Sequence, residues 1–100
     1  MSDIGDLDPV IHSVTRLRIS SILAALNGGD SLTFSRLQSV LDLTPGNLTT
    51  HLTKLEEAGY VSLMRQGAGR SASTTAALTT SGRRAYDDYR AALRSILSDD

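Results

Sequence analysis

One hundred residues with 40% apolar side chains suffice for one modest core, and the lack of cysteine excludes disulfides, thiolate catalysis and zinc-finger ligation together. The net charge of −1 divides unevenly: residues 1–8 carry −3, residues 9–86 carry +4 and residues 87–100 carry −2, so the pI of the whole chain is a poor guide to its body. No apolar run approaches the roughly 18 residues of a membrane span, and the start MSDIGDLDP has no signal-peptide core, so a cytoplasmic protein without a membrane partner is expected.

Residues 1–8 read as an acidic, flexible lead and residues 9–100 as a single domain. Asp8-Pro9 pairs an N-cap with proline at the first helical position, opening a turn that carries Val10 and Ile11. Ser13 can cap a fresh helix, with Ile19, Ile22, Leu23 and Leu26 on one face and Leu17 beside them. Asn27-Gly28-Gly29 ends it. Arg16 and Arg18 read as part of a solvated face. Thr33 caps a short helix whose inward stripe is Phe34, Leu37, Val40 and Leu41, and Leu43-Thr44 is the tight connection that follows.

The stretch TPGNLTTHLTKLEEAGY, from Thr44 to Tyr60, is the most informative. Thr44 is a good N-cap, and Pro45 at the first helical position loses nothing by lacking an N–H. Leu48, Leu52 and Leu55 form one stripe on a helix. Gly59 stands where a left-handed residue belongs, with Tyr60 placed to fold back on Leu55. The opposite face carries Asn47, Thr50, His51 and Lys54 and no carboxylate, while Glu56 and Glu57 are held at the far end. Gly46 is a poor helix former that lets another backbone come close. Two short helices joined by about three residues, the second polar on its outer side, make a helix-turn-helix suited to a DNA major groove.

After Gly59 the period changes. Tyr60 to Arg65 is rich in strand formers, Gln66 to Ser71 is a flexible turn, and Ala72 to Leu78 can return as a second strand. The predicted architecture is mainly α (α+β): a winged helix-turn-helix with a two-stranded β-hairpin wing whose tip is Gly67 to Ser71. Thr79 or Thr80 caps a last helix over about residues 80–98, with Ala85, Tyr86, Tyr89, Ala92, Leu93, Ile96 and Leu97 as its apolar stripe. That stripe is either a lid on the core or half of a dimer interface.

Other features have plain structural readings. Gly67-Ala68-Gly69-Arg70-Ser71-Ala72 fits a dinucleotide fingerprint in letters only, because no βαβ unit surrounds it; a hairpin needing two glycines explains it. His12 reads as a packed or capping residue, and His51 as either a base or phosphate contact or a polar filler. Arg83 and Arg84 oppose the dipole at a helix start, so they read as phosphate ligands, partner contacts or a solvated face. No nucleophile arrangement or framed carboxylate pair suggests catalysis, and no metal or cofactor site is expected.

The run TPGNLTTHLTKLEEAGYV, preceded by LDPVIHSVTRLRI and followed by LTTSGRRAYDDYRAAL, resembles the minimal subgroup of the small winged-helix transcriptional regulators of the MarR-like superfamily. The likeness runs from Leu7 to about Leu97, and Thr15 to Ile19 also looks like ArsR-type repressors. Two departures stand out: Val14 where proline is common, and a wing, Gly69-Arg70-Ser71-Ala72-Ser73-Thr74, with one basic residue where relatives carry several.

The resemblance implies that the helix matching Pro45–Ala58 enters the major groove, that the hairpin tip meets the minor groove or phosphates, and that the terminal helices dimerise. The expected DNA contacts are Thr44, Gly46, Asn47, Thr49, Thr50, His51 and Lys54, with Arg65 and Arg70 from the wing. The expected dimer interface is Ile11, Tyr86, Tyr89, Leu93, Ile96 and Leu97, and an effector pocket would be lined by Tyr86 and Tyr89. The expected function is therefore sequence-specific transcriptional regulation, as a repressor, by a homodimer on a pseudo-palindromic operator of double-stranded DNA, with release by a small-molecule effector as an extension. The alternative is a winged-helix protein-interaction module without DNA binding.

Overall fold

Hydroxyl side chains start every α-helix of the computed structural model, which describes residues 7–98. Residues 1–6 of the expected flexible lead lie outside the described residues. Among those described, the order is α1 (Val14–Ala24), β1 (Leu32–Thr33), α2 (Phe34–Leu41), α3 (Pro45–Glu57), β2 (Val61–Gln66), β3 (Ser73–Leu78) and α4 (Thr80–Leu97). The caps are Ser13, Thr33, Thr44 and Thr79, whose oxygens accept the backbone N–H of Arg16, Arg36, Asn47 and Gly82 at 3.3, 3.1, 3.1 and 2.9 Å. Helix ends are equally local. Asp42 closes α2 in the left-handed region at φ 55°. Gly59 follows α3 at φ 81°. There Tyr60 N–H donates to the Leu55 carbonyl and Gly59 N–H to that of Glu56, both at 2.9 Å, the reciprocal pair of a Schellman ending.

The sheet holds the expected two-stranded hairpin and adds a third strand to it. Strands β2 and β3 pair antiparallel from Val61 opposite Leu78 to Gln66 opposite Ser73. β1 adds to the other edge of β3, with Leu32 opposite Ala76 and Thr33 opposite Thr75, giving the order β1-β3-β2. Two residues are too short to show a period of two, so β1 exists only because β3 offers it a ladder. Ala76 in the central strand is buried, and α1 and α2 both lie against that strand.

The core joins Ile19 and Leu23 of α1, Leu37 and Leu41 of α2, the three leucines of α3, Val61 and Ala76. Val40, expected inward on α2, is exposed. Helix α4 docks by its first turn: Thr79 N–H donates to the Tyr60 carbonyl at 3.0 Å and Thr79 Oγ1 to that of Gly59 at 2.7 Å. Gly82 is buried at this junction, where a Cβ would collide with the backbone of Tyr60.

The short segment before α1 is also tied down. Asp8 accepts the N–H of Val10 at 2.8 Å through one carboxylate oxygen and the hydroxyl of Tyr60 through the other. Asp8 therefore does not belong to a free acidic lead. The bond to Asp8, with burial and the carboxylate charge, raises the Tyr60 phenol to about 12.

Candidate nucleic-acid interface

Leu48, Leu52 and Leu55 seat α3 on the core at 0–2% exposure, each contributing about 1.5–3 kcal/mol of burial. Their fixed position turns the other side of the helix outward. Thr44, Gly46, Asn47, Thr49, Thr50 and Lys54 are exposed there, and His51 is half-buried. Thr50 Oγ1 donates to the Gly46 carbonyl at 3.0 Å, so its proton is committed and the side chain presents a lone pair and a methyl group. Asn47 offers a neutral amide, with both donor and acceptor, in the first turn.

His51 is not the free side chain that either sequence reading supposed. Arg16, expected on a solvated face, reaches across from α1 and places Nη1 at 3.1 Å from His51 Nδ1, while its Nε donates to the Val10 carbonyl. Burial lowers the His51 pKa below its ordinary 6.5, and the charges of Arg16 and Lys54 add to the effect.

The hairpin between β2 and β3 turns through Gly67 at φ 80° and Gly69 at φ 59°. A single 3₁₀ turn, Gly69–Ser71, follows, with Ser71 Oγ donating to the Ala68 carbonyl at 2.9 Å. The glycines thus serve the turn, and a strand rather than a helix comes after them. Arg65 and Arg70 are exposed on this hairpin. Arg65 also lines a cleft of about 340 Å³ between the hairpin and the start of α2, shared with Thr33, Phe34 and Gln66.

Residues 15–97 match the family described as winged helix DNA-binding domain. The chain belongs to this family. An uncharacterised protein of Methanocaldococcus jannaschii is 38% identical over 80 residues, covering 80% of this chain and 84% of its own. A transcriptional regulator homologue from Pyrococcus horikoshii superposes with a TM-score of 0.85 at 28% identity, covering 97% of this chain and 95% of that one. Overoxidized AbfR, solved bound to DNA, gives a TM-score of 0.72 at 25% identity, over 87% of this chain and 61% of its own. A zinc-responsive MarR family member from Lactococcus lactis shares the fold, with a TM-score of 0.64 at 24% identity over 91% of this chain and 60% of its own. The winged helix expected around Thr44 to Val61 is thus the fold of the family that the chain matches.

Within this winged helix, α3 is the second helix of the helix-turn-helix and the β2–β3 hairpin is the wing. The residues expected to dimerise fall into two groups. Ile11 and Tyr89 are buried inside the chain at 0% and 4% exposure, so neither offers its side chain to a partner in this conformation. The Tyr89 hydroxyl lies 2.9 Å from His12 Nδ1, and the two rings tilt together at 5.9 Å. Tyr86, Leu93 and Ile96 are half-buried and Leu97 is 75% exposed, a partly unsatisfied edge along α4. Leu17, Ile22, Tyr86, Tyr89 and Leu93 line a groove of about 480 Å³ between α1 and α4, where the effector pocket was expected.

Three contacts escape a reading of the sequence. Arg83 Nη1 donates to the Ala24 carbonyl at 3.1 Å, capping the end of α1 rather than waiting for a phosphate or a partner. Arg16 with His51 and Asp8 with Tyr60 are the others, 35 and 52 residues apart. Only the polar character of these residues beside apolar stripes hinted at them.

Proposed function

We propose that the chain is a sequence-specific transcriptional repressor that binds as a homodimer to a pseudo-palindromic operator. The observation that carries this reading is the outward face of α3, free of carboxylates from Pro45 to Leu55 and held rigid by three buried leucines. In such a complex two recognition helices enter successive major grooves about 34–36 Å apart. Asn47 pairs with an adenine edge, the Thr50 methyl meets a thymine methyl, and Thr44, Gly46 and Thr49 allow close approach. Lys54, Arg65 and Arg70 hold phosphates; with so few cations per protomer, two protomers are needed for firm binding. DNA as the ligand of AbfR, a structural neighbour, supports the same partner here.

The exposed edge of α4, from Tyr86 to Leu97, is the surface that a second copy would cover. The adjoining groove against α1, apolar and rimmed by Arg18 and Arg90, suits a small aromatic effector that would alter the dimer angle. The thin wing favours a second reading, a protein-interaction module, because only Arg65 and Arg70 project cations from it.

Titration of fluorescent duplexes selected from a random library separates the two. The repressor reading expects saturable, salt-sensitive binding with two protomers per site. It also expects Asn47→Ala to weaken the selected site about tenfold while sparing random DNA. Equal loss on both duplexes removes Asn47 from readout, and no binding at low salt leaves the interaction module.

A further inference from the structure

Arg16 starts on α1 and ends on α3. Its Nε donates to the Val10 carbonyl and its Nη1 lies 3.1 Å from His51 Nδ1. A guanidinium has only donors and keeps its proton at any ordinary pH, so Nδ1 must supply a lone pair. His51 is then neutral, with its one proton on Nε2, the nitrogen on the far side of the ring. The charged groups around it are Arg16 from α1, Lys54 one turn along α3, and Glu57, which shares with Arg16 and Lys54 a shallow cleft beneath Pro9 and Val10. Two cations beside a partly buried ring resist a third positive charge.

We infer that Arg16 is a positioning residue for DNA readout: it locks His51 in the Nε2–H form, so that the recognition helix presents a neutral donor to a base-edge acceptor rather than a cation to phosphate. The acceptors within this chemistry are guanine O6 or N7, adenine N7 and thymine O4. The inference rests on the DNA-binding reading above. A structural brace alone would hold α1 to α3 whatever stood at position 51. A tautomer lock acts only through an imidazole.

The test has one arm without DNA and one with it. Long-range proton–nitrogen spectra of the full chain labelled in His12 and His51, assigned with His51→Gln, report the tautomer directly. The Nε2–H form is expected for His51, titrating below 6.5, with Arg16→Met giving mixed tautomers and a rise in that value. In the second arm, Arg16→Met should lower the ratio of selected to random duplex binding about tenfold. Glutamine places an amide N–H near the position of Nε2–H without needing a tautomer. In the His51→Gln background, Arg16→Met should therefore leave that ratio unchanged.

An Nδ1–H form, an unmoved titration in Arg16→Met, or an equal loss in the His51→Gln background overturns the inference while DNA binding stands. Should Arg16→Met fail to fold, Arg16→Gln decides, because a neutral amide can accept as well as donate and so no longer fixes the tautomer, and the same changes are expected. Should the wild type select no duplex although the spectra show the lock, the DNA reading falls and takes the readout role with it.

Discussion

Helices α3 and α4 each carry one apolar stripe, and the chain finishes only one of them. The three leucines of α3 are buried at 0–2% exposure, whereas α4 buries only Gly82 and Tyr89 and leaves Leu97 at 75%. The difference shows which surface is complete. The inner side of α3 is satisfied within one protomer, and its outer side is polar and needs no cover. The second half of α4 leaves apolar surface, Leu97 above all, that the rest of the chain does not cover.

Leu52→Ala should break this comparison most strongly. Removing a fully buried leucine costs about 2–5 kcal/mol through lost transfer energy and the cavity left behind. Chemical denaturation should show that loss, and α3 should cease to present a defined face. Gly82→Ala comes next, at about 1–3 kcal/mol, because the new methyl group meets the Tyr60 backbone rather than a side chain that could swing away. Its thermal unfolding midpoint should fall, and a midpoint equal to the wild type would mean that the α4 junction is looser than described.

The Tyr60–Asp8 bond gives a smaller, pH-bounded effect. Its phenol is raised from 10.0 to about 12 in the fold, so its contribution is fully present below pH 10 and is lost as pH rises toward 12. Melting curves of the wild type and Tyr60→Phe should differ most below pH 10 and converge above it. A difference constant across that range would mean that the hydroxyl stabilises nothing through its proton. Leu97→Gln is the mildest change for the single chain, within about 0.5 kcal/mol. If α4 is the dimer edge, the same change should raise the dissociation constant of the dimer severalfold in sedimentation experiments, so this variant sharpens the comparison where Leu52→Ala destroys it.

Much of this architecture can be read from neighbours in the chain. Caps at Ser13, Thr33, Thr44 and Thr79, the stripe of α3, the Schellman ending at Gly59 and the turn of the glycine-rich hairpin depend on residues no more than seven positions apart. Whatever depends on longer separations is harder to read. Strand β1 shows no period, Val40 follows its helical stripe yet faces out, and Ile11 and Tyr89 look the same whether they cover the core or a partner. Arg16 and Arg83 show the same limit among charged residues. Each looks solvated in its own helix and is recruited by an acceptor that another helix supplies.

Sequence alone was enough for the helix starts, the carboxylate-free face of α3 and the winged-helix class, because backbone caps and side-chain periodicity act over one or two turns. Tertiary structure decided which apolar residues of α4 are already covered, which strand joins β3, and that His51 answers to Arg16. Those outcomes turn on distances between segments that lie tens of residues apart, and only the packed core brings them within reach of a hydrogen bond.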